Sequence, residues 1–75
     1  MVTDTEQAIL IHLLQEGNDA PSNIAEEIGA APEYVSNRLS GLSSEGLLVK
    51  SKGSGVWTLT PEGAEMARAY LREKE

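Results

Sequence analysis

Two predicted helices separated by only three residues constrain the fold of this chain most strongly. The first ends at Ile28, and the second begins at Pro32, where proline fits because its φ is already helical and the first turn needs no N–H donor. The Gly-Ala-Ala segment between them is so short that the second helix must cross the first at a steep angle. Ala25 supplies the small side chain that such a close crossing needs.

The second of these helices, residues 32–45, has two different faces. Val35, Leu39 and Leu42 recur at helical spacing and predict an apolar stripe that faces a core. The opposite face carries short hydrogen-bonding groups, one aromatic ring and one guanidinium: Tyr34, Ser36, Asn37, Arg38, Ser40 and Gly41. Such groups can pair with base edges or phosphates in a DNA major groove. They also fit an ordinary solvated face, and the pattern alone does not decide between the two.

A further helix is predicted before this pair. The segment Thr3 to Glu6 fits a capping box, and Gly17-Asn18 fits a left-handed cap at the other end of a helix that runs to about Glu16. Its predicted buried positions are Ile9, Leu10, Leu13 and Leu14. The sequence therefore predicts three helices ahead of the first strand.

A β-hairpin and a last helix are predicted after the pair. Residues 47–51 and 56–60 favour strands, and the glycines of the Lys-Gly-Ser-Gly tip between them permit a tight connection. Trp57 and Leu59 alternate onto one side of the hairpin, where we expect the core, which leaves Val56 and Thr58 outside. Thr60 and Pro61 then predict a helix N-terminus.

Composition and charge narrow the class of function. Seventy-five residues predict one domain, residues 1–75, and the absence of cysteine excludes disulfides, thiolate metal sites and a thiol nucleophile. The net charge of −6 is uneven: residues 1–30 carry six acidic and no basic side chains, whereas residues 31–58 carry a net charge of +1. The only part that is not acidic is the part that would approach phosphates.

Nothing in the sequence predicts catalysis, a metal, a cofactor or a small-molecule ligand. His12 is the only histidine and is predicted to be an ordinary helix-surface residue; the paired glutamates Glu26-Glu27 and Glu62/Glu65 fit solvated helix faces. The N-terminus lacks a basic signal region, and no apolar run reaches the eighteen or so residues that span a bilayer. We therefore expect a non-enzymatic, cytoplasmic protein without a membrane partner.

Three apolar residues lie off the predicted core stripes. Ile11 points away from the stripe of the first helix, and Met66 and Tyr70 form a second stripe on the last helix. These residues are candidates for a homodimer interface, although an isolated exposed isoleucine is also common.

The order of elements and two sequence runs resemble a known family. The runs are P-E-Y-V-S-N-R-L-S-G-L-S-S-E-G-L-L-V and G-S-G-V-W-T-L-T-P-E-G. They resemble prokaryotic winged helix-turn-helix transcriptional regulators, and most nearly small haloarchaeal proteins similar to a phage repressor, over residues 5–63. The resemblance implies a mostly helical α+β fold with a three-helix core, a two-stranded wing and a C-terminal helix.

The resemblance also implies a function and a set of contacts. It implies a sequence-specific regulator, in the first instance a repressor, that places helix 32–45 in the major groove of double-stranded DNA and wing 50–57 on the backbone or minor groove. The implied contacts are Tyr34, Ser36 and Asn37 to bases, Arg38 and Ser40 to bases or phosphates, and Lys50 and Lys52 to the backbone. The family wing usually carries arginines within the stretch that in this chain is residues 50–54, Lys-Ser-Lys-Gly-Ser. Glu33 places an acid at the end of the helix that would enter the groove, where it either stabilises the helix N-terminus or accepts a hydrogen bond from a cytosine amino group. A winged-helix module that binds protein instead of DNA is the alternative.

Overall fold

The computed structural model describes residues 4–74 and contains four helices and three short strands. The helices are α1 (Asp4–Glu16), α2 (Pro21–Ile28), α3 (Pro32–Ser44) and α4 (Pro61–Lys74). The strands are β1 (Asn18–Asp19), β2 (Leu48–Lys50) and β3 (Trp57–Leu59). All four predicted helices and both predicted strands are confirmed, whereas Thr3 of the predicted capping box lies outside the described residues.

Strand β1 was not predicted. Gly17, at φ +93°, ends α1 as expected, but Asn18 belongs to a strand and not to the helix cap. The sheet is antiparallel in the order β1-β3-β2, with Asn18 opposite Thr58. The Thr58 hydroxyl also donates a 3.2 Å hydrogen bond to the Gly17 carbonyl. The sheet thus has three strands instead of two, and Thr58, which was predicted to lie outside, is half-buried beside β1.

The turn between α2 and α3 has the predicted geometry. Gly29 adopts the left-handed conformation, at φ +72°, and ends α2. Its N–H donates to the Ala25 carbonyl, as does the N–H of Ala30. The Ala25 side chain is buried, and Pro32 is the first residue of α3. This turn fixes the direction in which α3 leaves α2.

One core is built from all four helices and the hairpin. Its fully or nearly buried members are Ile9, Leu10, Leu13, Ile24, Ala25, Val35, Leu39, Leu42, Leu47, Leu48, Trp57 and Ala67. Leu14, which was predicted to be buried, is only half-buried at the margin of this core. Met66 and Tyr70 also pack against it, so part of the surface that was predicted to meet a second copy is used within the chain itself.

The start of α4 is held closely against the hairpin. The Thr60 hydroxyl accepts a 3.1 Å hydrogen bond from the Gly63 N–H, as the predicted cap requires, and donates one of 2.6 Å to the Gly46 carbonyl. The Thr60 N–H donates to the Leu47 carbonyl at 3.1 Å. A Cβ atom on Gly63 would overlap the Leu47 carbonyl oxygen, so only glycine fits here without a shift of the backbone.

His12 is not the free surface residue that was predicted. Its Nε2 lies 2.7 Å from Oδ2 of Asp19, and the two side chains are 12% and 15% exposed. Asp19 also accepts hydrogen bonds from the Asn23 side chain and the Ala20 N–H. The hydrogen bond from His12, followed by those from Asn23 and Ala20, holds the pKa of the Asp19 carboxyl below its ordinary value. This cluster joins α1, β1 and α2.

Candidate nucleic-acid interface

The two faces of α3 differ as predicted. Val35, Leu39 and Leu42 are fully buried, so the helix is fixed to the core along one side. On the other side Ser36, Asn37 and Ser40 are exposed, and the Tyr34 ring is 44% exposed. Four of the five candidate contact residues on this helix are therefore accessible without any rearrangement.

Arg38 is the fifth, and it is half-buried because it lies against its own helix. Its guanidinium carbon is 5.6 Å from the centroid of the Tyr34 ring, one helical turn earlier. Its Nε atom is buried and has no hydrogen-bond partner among the described residues. The stacking is a cation–π contact, which the spacing of four residues allows. Both residues were candidates from the sequence, but their contact with each other was not predicted.

The wing is the second part of the candidate interface. Leu48 lies opposite Leu59, and Lys50 lies opposite Trp57, whose ring centroid is 5.9 Å from the lysine Nζ atom. Beyond them the tip is closed by a 2.8 Å hydrogen bond from the Ser51 N–H to the Val56 carbonyl. Gly53 and Gly55 have φ values of +89° and +73°, a conformation that other residues adopt rarely.

The charges of this region are available to a ligand. Lys50 and Lys52 are exposed, and within residues 4–74 neither lysine pairs with a carboxylate; the same is true of Arg38. Val49, which precedes Lys50 on β2, is 51% exposed. Glu33 is exposed in the first turn of α3, where the helix dipole favours an acid. The region combines hydrogen-bonding groups on α3 with cations on the wing.

Other kinds of site are not found in the described part of the chain. No group of three or more histidine or carboxylate side chains in residues 4–74 is placed to hold a metal ion. No helix in the same range is long and apolar enough to cross a bilayer.

An open groove of about 410 Å³ lies between α1, the end of α2 and the end of α4, and its lining includes Ile11, Ile28 and Leu71.

The architecture is that of a winged helix-turn-helix protein: α2 and α3 form the helix-turn-helix, and β2 and β3 form the wing. No family model and no curated protein matches the sequence. Solved structures match the fold closely. Lactococcus lactis ZitR in complex with DNA has a TM-score of 0.84 and 27% identity, over 99% of this chain and 55% of that one.

Two further structures have the same architecture. A MarR family regulator from Neisseria meningitidis has a TM-score of 0.88 and 22% identity, over 97% of this chain and 55% of that chain. A MarR family protein from Mycobacterium tuberculosis has a TM-score of 0.85 and 22% identity, over 95% of this chain and 53% of that chain. This chain spans about half the length of the proteins it resembles.

Proposed function

We propose that this chain is a sequence-specific domain that binds double-stranded DNA and regulates transcription. In this proposal α3 enters the major groove, and wing 50–57 lies on the backbone or in the minor groove. The observation that carries it is the division of α3 into a fully buried stripe and an exposed polar face. A helix fixed in this way can present side chains to base edges without unfolding any part of the domain.

The side chains divide into two roles by their chemistry. Those on α3 would contact bases, or bases and phosphates: Tyr34, Ser36, Asn37, Arg38 and Ser40. Lys50 and Lys52 would contact phosphates, because an ammonium group carries charge but little sequence information. We expect the first group to determine which sequence is bound and the second to contribute to binding of all sequences.

The comparisons with solved structures support DNA binding and transcriptional regulation as the function of a domain with this fold. ZitR, whose structure aligns with 99% of the length of this chain, was solved in complex with DNA. The protein from Neisseria meningitidis is a MarR family regulator. The repressor role and a kinship with haloarchaeal proteins rest on the sequence resemblance. A haloarchaeal origin would account for the acidic surplus, and high salt would favour direct readout of bases over phosphate attraction.

The acidic net charge does not oppose the proposal, because most of the acids lie outside α3 and the wing. The six acids of residues 1–30 include Glu16 and Glu27, which line the groove between α1, α2 and α4. The segment that contains α3 and the wing has a net charge of +1. Phosphates would therefore meet a locally basic surface on an acidic protein.

A homodimer is part of the proposal, with Ile11 as its central interface residue. Ile11 and Leu71 line the open groove, whereas Met66 and Tyr70 lie mostly against the chain's own core. Burial, with the nearby carboxylates of Glu73, Glu6 and Glu45, raises the pKa of the Tyr70 hydroxyl, which fits an intramolecular position for this ring. Two copies would double the few cationic contacts and match a two-fold operator.

The experiment for DNA binding is a selection from random duplexes at low and at molar salt. We expect an enriched motif, and we expect Asn37→Ala to lose it while its circular dichroism stays helical. Arg68→Ala is the matched control, because it removes an exposed cation from α4 and should retain the motif. Absence of enrichment at both salt concentrations would refute sequence-specific binding.

The experiment for the dimer is light scattering of the wild type and of Ile11→Glu. We expect the wild type to be dimeric and the variant to be monomeric, since a carboxylate would be buried in the interface. Val49→Glu is the control, because Val49 is an exposed aliphatic residue on the wing. A monomeric wild type would refute the dimer.

Protein binding without DNA is the second candidate function, and the groove favours it. Its apolar residues Ile11, Ile28 and Leu71 are flanked by Glu16 and Glu27, an arrangement that suits a basic amphipathic segment. A chain that selects no DNA but binds such a peptide, with loss of binding in Ile11→Glu, would support this function.

A further inference from the structure

The contact between Tyr34 and Arg38 restricts what the arginine can bind. Arginine has five N–H donors, one on Nε and two on each terminal nitrogen. Here the Nε donor is buried and without a partner, whereas the terminal nitrogens have no hydrogen bond within residues 4–74 and remain accessible. The side-on fork of Nε and one terminal nitrogen is therefore blocked. Only the end-on fork of the two terminal nitrogens is open to a ligand.

The same contact determines where the end-on fork lies along α3. Helical side chains lean toward the N-terminus of their helix, and stacking on the residue four positions earlier holds the guanidinium in that direction. In a helix-turn-helix complex it is the N-terminal part of the second helix that reaches base edges. The ring of Tyr34 thus keeps the Arg38 fork close to bases and limits the freedom of a long side chain to turn toward the phosphates.

We propose that Tyr34 is a positioning residue that makes Arg38 recognise guanine, through an end-on pair of hydrogen bonds to O6 and N7 in the major groove. These two acceptors lie side by side on guanine and on no other base, and arginine is the side chain that matches them best. The inference rests on the proposed function and makes it more specific. It assigns Tyr34 an action through Arg38 in addition to any base contact of its own.

The first experiment locates the guanine. Selections with the wild type and with Arg38→Ala are compared, and one guanine of the wild-type motif should lose its preference in the variant. Replacing that guanine by 7-deazaguanine removes the N7 acceptor alone. We expect this replacement to weaken wild-type binding about tenfold and to leave Arg38→Ala binding unchanged.

The second experiment separates positioning from folding and from charge. Tyr34→Phe keeps the ring face and should retain the preference for guanine, whereas Tyr34→Ala should reduce it to within about threefold of the other bases, estimated from the loss of one bidentate pair. Binding to an unrelated duplex is measured for each variant as the sequence-independent background against which its preference for guanine is expressed. Because the Tyr34 ring is 44% exposed, both variants should fold, which circular dichroism checks. Arg38→Lys keeps the charge but not the fork, so it should lose the preference as well.

Three results would overturn the inference while leaving sequence-specific binding intact. One is a motif with no Arg38-dependent guanine, and another is an Arg38→Ala variant that weakens all duplexes equally, as a phosphate contact would. The third is a Tyr34→Ala variant that retains full preference for guanine. By contrast, a wild type that selects no motif refutes the proposed function itself, and the inference with it.

Discussion

Gly63 offers the sharpest test of how α4 is joined to the rest of the domain. A Cβ atom at this position would overlap the Leu47 carbonyl oxygen, and it would also lie 3.0 Å from the carbonyl carbon and 3.2 Å from Cδ2 of Leu59. The oxygen cannot move away freely, because it accepts the hydrogen bond from the Thr60 N–H. Gly63→Ala must therefore displace the start of α4 or the start of β2.

Gly41 provides a matched control within α3. It is also a helical glycine, and a Cβ atom there would meet nothing within 4 Å. Gly41→Ala should stabilise the domain by about 0.5–1 kcal/mol, since alanine loses less backbone entropy in a helix. Gly63→Ala gains the same helix propensity, but overpacking should lower its free energy of unfolding by about 1–3 kcal/mol or more. The net difference between the two variants should be about 2 kcal/mol in the free energy of unfolding.

The assay is urea unfolding followed by far-ultraviolet circular dichroism, with a thermal scan beside it. A difference of about 2 kcal/mol corresponds to roughly 8–16 °C in Tm for a domain of this size. The slope of the urea transition should stay the same in both variants, because the surface exposed on unfolding does not change. A Gly63→Ala variant that is as stable as Gly41→Ala would refute the close approach of Gly63 to the Leu47 carbonyl.

Three further predictions concern the α1–α2 connection, the α2–α3 turn and the wing. Asp19→Asn should lower the free energy of unfolding by about 1–2 kcal/mol at pH 7, because the carboxyl of Asp19, whose pKa is lowered in the fold, stabilises the protein in its charged form. The difference from wild type should begin to shrink as the pH falls below about 4 and be lost as the pH falls through the lowered pKa, which a series of urea unfolding curves from pH 7 to below about pH 3 measures. Gly29→Ala should lower the free energy of unfolding by about 1 kcal/mol, because the left-handed conformation is unfavourable for alanine. Gly29→Asn should lower it less in the same assay. Lys52→Ala should weaken binding to all duplexes about equally and reduce the slope of log affinity against log salt by about one unit, measured by anisotropy titration; a variant that changes the selected motif would contradict this role.

The helices could be predicted from the sequence because their signals are local. Pro32 and Pro61 lie at the first positions of α3 and α4, and Gly29 ends α2, as the residue types require. The apolar spacing also gave the buried stripe of α3 correctly, since helical periodicity decides which side chains share a face. The short connection between α2 and α3, with Gly29 directly after the last residue of α2, also has the length and the glycine position that the sequence predicted.

The features that were missed depend on residues distant in the chain. A two-residue strand such as β1 has no periodicity of its own, and it exists because β3 offers a free edge beside Asn18. The bond between His12 and Asp19 joins residues seven apart across a chain reversal. The close approach of Gly63 to Leu47 likewise depends on how α4 packs against the hairpin.

The candidate interface was predicted in its parts but not in its arrangement. The exposure of Ser36, Asn37 and Ser40 followed from the pattern of α3. The stacking of Arg38 on Tyr34 has a signal in the sequence, the spacing of four residues, but rotamers decide whether such a pair touches. The contact of Lys50 with Trp57 required the register of β2 on β3, which the sequence left undetermined.

The central position of β3 in the sheet makes the wing adjustable in length. Because β3 is paired with β1 on one side and β2 on the other, its register is fixed by two neighbours instead of one. The tip, residues 51–56, makes its described backbone hydrogen bonds only within itself. Residues inserted there would extend the reach of the wing without moving α3, and doubling the length of the loop costs only about 0.6 kcal/mol. The distance spanned by the wing and the chemistry presented by α3 are therefore two properties that can change independently.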